Sequence, residues 1–340
     1  MNGIMENNNS VLLSICIPTY NGVDYLIENL SVLIPQIITS KYGVELIISD
    51  NGTPANKFGE LKNFLEQWDV CVKLFHHEDN IGGRANFAYA VKQAVGTYVF
   101  LLGDDDILNP NILEIIYPFI EKRKYSLVHF NYLYADASLQ NAELETSCFD
   151  GVIKEMNWAD FLQNDSYDST FMSSIVFLKE CWDVGLSYVR DEYYGYEWYA
   201  AVIWGMAIKK MQCLFYYFPL CIQRNPPKTW AKDTPVFKYV GLCTLFKDLD
   251  AIESGVYEAK LRFLKKLYYD KFFIHITTDP LYYQKYEADF KNALPNDFFS
   301  KVRICLHSPF YRVIHLYYII KMKAASIYRG IRRFLGLKGL

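Results

Sequence analysis

Apolar positions along the chain follow two rhythms. Short runs that are apolar on nearly every residue, Leu12–Pro18, Val44–Asp50, Val70–Phe75 and Thr97–Leu102, predict strands buried on both faces. Between them lie helical patterns over Tyr25–Ser40, over Phe58–Trp68, and from the turn Asn80-Ile81-Gly82-Gly83 to Val95. Strands alternating with helices predict a parallel sheet covered on both faces. Such a sheet presents its ligand site at the carboxyl ends of its strands, and the turns Thr19-Tyr20-Asn21-Gly22 and Asn51-Gly52 fall there. Further on, the pattern predicts a helix over Pro110–Lys122 and a strand with one wet face over Ser126–Tyr134. A polar loop over Ala135–Gly151, a helix over Trp158–Asn164 and a strand over Phe171–Leu178 follow. Next come a helix ending near Lys210 and a strand over Gln212–Ile222. From Pro235 to Leu294 the rhythm is helical, with Leu261, Leu264, Leu267 and Tyr268 at helical spacing, and no internal repeat is visible. The expected organisation is a disordered 1–10, an α/β domain over 11–225, a helical region over 226–297 and a basic tail over 298–340.

The fourth strand carries the sharpest chemical signal. Tyr98–Leu102 runs into Gly103-Asp104-Asp105-Asp106, and Asn109-Pro110 then starts a helix. Three adjacent carboxylates at the end of a buried strand repel one another unless water or a hard cation neutralises them. Oxygen donors suit Mg²⁺ or Mn²⁺, which can hold a diphosphate at the same time. A solvated acidic loop is the bland alternative. Pro18-Thr19-Tyr20 can offer backbone groups and a ring face to a nucleobase, or Tyr20 can simply pack the turn. Asp50 can bond a base edge, or bond its own turn. Uracil and cytosine both present a donor to a carboxylate, so Asp50 alone leaves the base open.

Composition narrows the class. The 340 residues are 51% hydrophobic and 21% charged, as a globular chain of about two domains requires. The 28 Tyr and 23 Phe suit stacking on bases and sugars or a large aromatic core. Eight scattered Cys with no C-x-x-C pair read as buried thiols in a reducing cytoplasm. The six His lack metal-ligand spacing, and adjacent His76 and His77 at a strand end read as structural or rim residues. Neither a secretory signal at the polar start nor an apolar run long enough to span a bilayer is expected. The net charge of −3 hides an asymmetry: nine cations and no carboxylate lie between Phe298 and Leu340, leaving 26 cations against 38 carboxylates before them. Lys301, Arg303, Arg312, Lys321 and Lys323 alternate there with Phe310, Val313, Ile314, Tyr317 and Ile320. That pattern suits helices lying in an anionic membrane interface; a core helix or an oligomer contact is the alternative. Nucleic acid is a rival anion, but the tail carries no recognised binding motif.

Ser14-Ile15-Cys16-Ile17-Pro18-Thr19-Tyr20-Asn21, Asp50, Asn80-x-Gly82 and Gly96-x-Tyr98-x-x-x-Leu102, in this order and spacing, closely resemble the bacterial family 2 glycosyltransferases of GT-A fold. The resemblance covers about residues 11–225. It implies a Rossmann-like, mostly parallel sheet with a nucleotide-sugar site formed by Pro18, Thr19, Tyr20, Asn21, Asp50, Arg84, Asp104 and Asp105. In the family the Asp matching Asp50 recognises the base. Arg84 would reach the diphosphate or the base, or serve only as a surface ion pair. The family's usual Asp-x-Asp-Asp departs here: aligned on the last Asp, its first carboxylate falls on Gly103. Asp105 or Asp106 is then the expected metal ligand, with Asp104 as the third candidate.

Gly195-Tyr196-Glu197-Trp198 resembles the family's Gly-Glu-Asp-aromatic stretch, with Glu in place of Asp. By that resemblance Glu197 takes the acceptor hydroxyl's proton in an inverting displacement, with Asp191 and Glu192 in reserve. The alternative for Glu197 is a carboxylate that complements a helix N-terminus. Tyr196 and Trp198 would stack on the acceptor or belong to the core. Arg224 and Lys228, in the Pro-rich stretch after the last strand, would hold the departing diphosphate as a lid, or belong to a linker. The implied partners are a nucleotide-diphosphate sugar, a glycan acceptor linked to undecaprenyl diphosphate, and the inner face of the cytoplasmic membrane, as in O-antigen or capsule synthesis. Leu102-Gly103-Asp104-Asp105-Asp106 resembles the abequosyltransferase-like O-antigen enzymes. Two rivals remain open. A sugar nucleotidyltransferase would need a Gly-rich basic loop after the first strand, which Pro18-Thr19-Tyr20-Asn21 is unlike. A non-catalytic glycan- or nucleotide-binding protein would bind without turnover.

Overall fold

The computed structural model describes residues 11–139, 142–144, 152–165, 168–225 and 233–334. The chain forms two compact units, Met1–Val189 with Glu197–Lys228, and Arg190–Tyr196 with Thr229–Leu340.

The first unit is built on one mixed sheet. Its strands are β1 (Leu13–Thr19), β2 (Val44–Asp50), β3 (Val72–His76), β4 (Tyr98–Leu101), β5 (Ile107–Leu108), β6 (Tyr125–Asp136), β7 (Glu143–Leu144), β8 (Ile153–Asn157), β9 (Ile175–Leu178) and β10 (Gln212–Asn225). They lie in the order β3-β2-β1-β4-β9-β6-β10-β5, with β7 on β6 and β8 on β10. The first four are parallel, and β9 runs antiparallel to both β4 and β6. Every residue of β1 is buried, as its unbroken apolar run requires of a strand with neighbours on both edges. Helices α1 (Val23–Thr39), α2 (Ala55–Leu65), α3 (Gly83–Lys92) and α4 (Ile112–Ile120) connect the strands. Helix α1 buries Val23, Leu26, Leu30, Leu33 and Ile34, one face at helical spacing. Each such side chain contributes about 1.5–3 kcal/mol of burial. Helices α5 (Trp158–Asn164), α6 (Lys179–Gly185) and α7 (Glu197–Lys209) complete the unit.

Most predicted elements occur within a few residues of their expected bounds. The strand expected over Phe171–Leu178 is only half strand. Met172–Ser174 forms a tight turn, in which the Ser174 hydroxyl bonds the Phe171 carbonyl at 2.7 Å and competes with the ladder. The expected polar loop over 135–151 contains β7, and β8 follows just beyond it. Only Met156 of β8 is buried, so this edge strand has no apolar pattern to betray it.

A half-buried knot ties the amino ends of the strands. Glu45 accepts from Lys73 Nζ at 2.7 Å, from the Val95 N–H at 2.6 Å and from the Ser14 hydroxyl. A Cβ on Gly96 would meet Ser14 Oγ at 2.5 Å and Ser14 N at 2.7 Å, so the chain passes over β1 only because residue 96 is glycine. Burial alone would raise the Glu45 carboxyl, but the Lys73, Ser14 and Val95 donors hold it below its ordinary 4.5. A carboxylate depressed in the folded state stabilises fully above its unfolded value and loses that contribution as pH falls through the folded one. Thermal melts of the wild type between pH 7 and pH 3 should therefore fall more steeply than those of Glu45→Gln. Parallel curves would refute this.

Of the seven described cysteines, all but Cys71 are buried, and none is in a disulfide. Burial pushes the Cys181 and Cys213 thiols up to about 12, which leaves them inert.

The second unit is helical. It comprises α8 (Thr234–Val236), a π-helical turn at Phe237–Leu242, α9 (Cys243–Leu249), α10 (Val256–Thr278), α11 (Pro280–Gln284), α12 (Glu287–Ala293), α13 (Asn296–His307) and α14 (Tyr311–Phe334). Tyr239, Phe272, Phe273 and Phe298 meet at ring separations of 4.0–5.8 Å and form its aromatic centre. The segment Arg190–Tyr196 belongs to this unit. Arg190 Nη1 and the Tyr193 hydroxyl both donate to Asp248, at 2.7 and 2.9 Å, and a Cβ on Gly241 would strike the Tyr193 carbonyl at 2.3 Å. The basic tail stacks Tyr318 of α14 on Phe273 of α10, ring centroids 4.9 Å apart. No helix among the described residues is long and apolar enough to cross a membrane.

Candidate active site

The carboxyl ends of β1, β2 and β4 lie side by side, and each supplies part of one site. The β1 end carries Pro18 and Thr19, both buried, then exposed Tyr20 and Asn21. Asn21 takes a left-handed φ of 57° and donates its N–H to Thr53 Oγ1 at 2.9 Å. Thr19 Oγ1 donates to Asp104 Oδ2 at 2.6 Å. A Cβ on Gly22 would meet the same oxygen at 2.2 Å, so glycine makes room for this carboxyl. Burial pushes Asp104 up to about 7; the Thr19 hydroxyl opposes the shift and the charge of Asp105 adds to it.

The three aspartates are not equivalent. Asp106 is buried, accepting from the Ser173 hydroxyl and from the Arg224 N–H at 3.2 Å. Ser173 Oγ also accepts from the Gly103 N–H at 2.8 Å and so closes the loop on itself. A Cβ at Gly103 would lie 2.6 Å from Asp106 Oδ2, which explains why no carboxylate stands where the family pattern has its first one. Asp104 and Asp105 are half-buried. Among the described residues no three His, Cys, Asp or Glu side chains gather closely enough to hold a metal by themselves.

Arg224 lies in the wall of the site, only 5% exposed. Its Nε donates to the Asp105 carbonyl at 3.0 Å, Nη1 to the Ala137 carbonyl at 3.3 Å and Nη2 to Glu28 Oε2 at 2.6 Å, and the guanidinium covers the Tyr25 ring at 4.7 Å. The expected lid cation is here a brace beneath the aspartate loop. Lys228 lies outside the described residues. Asn29 is a second brace that its sequence context concealed. It sits on the apolar face of α1 and donates to the Gly103 carbonyl at 3.2 Å.

At the end of β2, Asp50 is fully buried. Its Oδ2 accepts from the Thr53 N–H at 3.0 Å and faces His76 Nδ1 at 2.6 Å. The following turn is locked by amides. Asn51 Nδ2 donates to Asn80 Oδ1 at 2.9 Å, and Asn51 Oδ1 accepts from the Ile81 N–H at 2.8 Å. Gly52, at φ 87°, presses on the Asp79 backbone. His77 bonds Ser49 Oγ at 3.3 Å and meets Tyr89 edge-on.

Arg84 opens α3, and its Nη1 is 3.8 Å from Glu197 Oε1 at the start of α7. The Arg84 side chain is half exposed and that of Glu197 largely buried. Tyr196 and Glu197, adjacent in sequence, fall in different units. Trp198 is buried edge-on to Tyr199, whose hydroxyl bonds Ser169 Oγ at 2.8 Å. Of the reserve carboxylates, Glu192 pairs with Arg190 at 3.3 Å and Asp191 is exposed.

Residues 14–174 match the family described as Glycosyl transferase family 2. Glycosyltransferase GlyG of Streptococcus pneumoniae serotype 4 is 26% identical over 169 residues, 50% of this chain and 55% of that protein. Abequosyltransferase RfbV of Salmonella typhimurium is 29% identical over 115 residues, 33% of this chain and 34% of that protein. The chain spans little more than half the length of the first curated relatives it matches. Among solved structures, residues 1–349 of S. aureus TarS superpose with a TM-score of 0.64 at 17% identity, over 91% of this chain and 89% of that one. The likeness extends to the same protein in complex with UDP. At this identity it establishes the GT-A fold.

Proposed function

We propose, from the match of residues 14–174 to glycosyltransferase family 2, that this chain belongs to that family and moves a sugar from a nucleotide-diphosphate donor to a hydroxyl of a glycan acceptor. The observation that carries this reading is the convergence at one sheet edge of three unlike groups: the Thr19–Asp104 pair, the buried Asp50 and the Arg84–Glu197 pair. A base reader, a diphosphate holder and a proton acceptor are what such a transfer requires.

Asp50 reads the base, and Tyr20 offers an exposed ring beside it. Arg84 offers a cation to the diphosphate. Burial, with the charge of Asp105 adding to it, holds Asp104 up to about 7, and the two adjacent carboxyls are hard oxygen donors that suit Mg²⁺ or Mn²⁺. Fewer than three gathered ligands also fits a cation completed by substrate phosphates. Such a cation supplies Lewis-acid stabilisation of the departing diphosphate. Asp106, spent on Ser173 and the Arg224 N–H, shapes the loop instead. Glu197 takes the acceptor hydroxyl's proton as that oxygen attacks the anomeric carbon, giving inversion. A panel of nucleotide sugars, assayed with Mn²⁺ and then with excess chelator, tests the reading. One donor should be consumed, and chelation should slow it at least a hundredfold. No consumption of any donor would overturn the assignment.

The likeness to an abequosyltransferase fits transfer of a deoxyhexose, and the acceptor we propose is a surface-polysaccharide glycan carried on a lipid diphosphate. The tail supports a membrane location. Phe310, Val313, Leu316, Tyr317, Ile320 and Ile327 are exposed among cations. Because Tyr318 stacks on Phe273, deleting the tail would bare the helical core. Substituting exposed positions is the cleaner experiment. Leu316→Ser with Ile320→Ser should lower cosedimentation with phosphatidylglycerol vesicles by about tenfold or more, each lost side chain removing ~1.5 kcal/mol or more of burial. Unchanged cosedimentation would remove the membrane from this proposal.

A further inference from the structure

We propose that His76 is a positioning residue that makes Asp50 a single-acceptor reader of a uracil-type imide, and so sets which nucleotide the site takes. The inference deepens the proposed function and rests on it. The parallel register of β2 and β3 pairs Asp50 with His76. Their side chains meet at 2.6 Å, Nδ1 to Oδ2. Oδ2 already accepts from the Thr53 N–H, so the hydrogen is assigned to Nδ1. The ring plane is fixed from its other side by Phe58, stacked at 4.1 Å and 22°. The Thr53 N–H occupies the same Oδ2 at 3.0 Å, and Thr53 is itself held by the Asn21 N–H. Two donors therefore converge on one oxygen. Asp50 Oδ1 is buried and has no hydrogen-bond partner. A buried acceptor left unmatched is costly, and a ligand N–H relieves that cost.

One oxygen without a protein partner discriminates among bases once a ligand edge reaches it. Uracil presents N3–H between two carbonyls, a single donor for a single acceptor. Guanine presents N1–H and N2–H together, an edge best served by both oxygens of a carboxylate; here Oδ2 is already committed. Cytosine and adenine set a ring-nitrogen lone pair beside their amino donor, and that lone pair faces the carboxylate unfavourably. The same constraint would admit thymine, whose imide edge is identical.

The test is calorimetric titration of the full chain with UDP, 3-methyluridine diphosphate, CDP and GDP. The variants are His76→Phe, which keeps the stack on Phe58 and loses the donor, and His76→Asn, which keeps an N–H donor. The wild type should bind UDP at least tenfold more tightly than its 3-methyl derivative or GDP. His76→Phe should weaken UDP about tenfold and bring its preference over 3-methyluridine diphosphate close to unity. His76→Asn should restore most of that preference. A general structural loss would weaken both ligands in proportion and leave their ratio intact, which would overturn the inference. Tighter wild-type binding of GDP or CDP than of UDP would also overturn it, leaving the donor reading in place. Failure of the wild type to bind any of the four nucleotides would overturn both.

Discussion

Glu197→Gln should reduce sugar transfer by about 10²–10⁴-fold, the range a positioned general base contributes, while UDP affinity stays within about threefold. The amide matches the carboxylate in size and still reaches Arg84, but it cannot accept a proton. Glu197 opens α7 with its side chain only 13% exposed and Arg84 Nη1 at 3.8 Å. That neighbour is oppositely charged and lies where the acceptor would approach. Glu197→Asp keeps the charge one methylene further back and should retain part of the rate. Single-turnover transfer from a saturating donor is the measurement. If Glu197→Gln transfers at the wild-type rate, the base lies elsewhere.

Gly205→Ala should destabilise the first unit by about 3 kcal/mol or more, at or beyond the upper end of ordinary overpacking. Helices α6 and α7 cross in backbone contact. A Cβ on Gly205 would lie 1.8 Å from the Cys181 carbonyl oxygen, and one on Gly185 would lie 1.8 Å from that of Ala201. Main-chain atoms cannot rotate aside as a side chain can, so the helices must separate. The better helix propensity of alanine returns only about 1 kcal/mol. Urea denaturation should show a lowered midpoint at unchanged slope. An unchanged midpoint would mean that the crossing yields easily. Because α7 carries Glu197 at its first residue, a mild version of the same defect should also cost activity.

The framework of the site was legible because it rests on local rules. Unbroken apolar runs announced β1, β2 and β4, and glycine-rich turns announced where the ligand edge lies. The roles inside the aspartate triplet were not legible. That Asp106 faces inward depends on Ser173, 67 residues away, and on Arg224, 118 residues away. Arg224 read as a lid cation because its neighbours are prolines and lysines. Its burial is set by Glu28 and Tyr25 on α1, a pairing that no local window contains. His76 read as a structural or rim residue, and its link to Asp50 appears only once the β2–β3 register is known. Asn29 had a weak signal: a polar residue on the apolar stripe of α1 needs a buried partner. The membership of Arg190–Tyr196 in the second unit had none, since Tyr196 and Glu197 are neighbours in sequence.

The amide lattice at Asn51 bears on how this protein ages. Asparagine before glycine is prone to succinimide formation, in which the glycine nitrogen attacks the side-chain carbonyl. The chain has such pairs at Asn2-Gly3, Asn21-Gly22 and Asn51-Gly52, the last two among the described residues. At Asn51 the side chain is clamped at both ends by Asn80 and Ile81, so the attack requires the corner to open first. Asn21 stands exposed on a left-handed turn. Of these two, Asn21 should therefore deamidate first on storage, inserting an isoaspartyl kink next to the glycine against which Asp104 is seated. Old preparations would then lose turnover while their melting curves still look young.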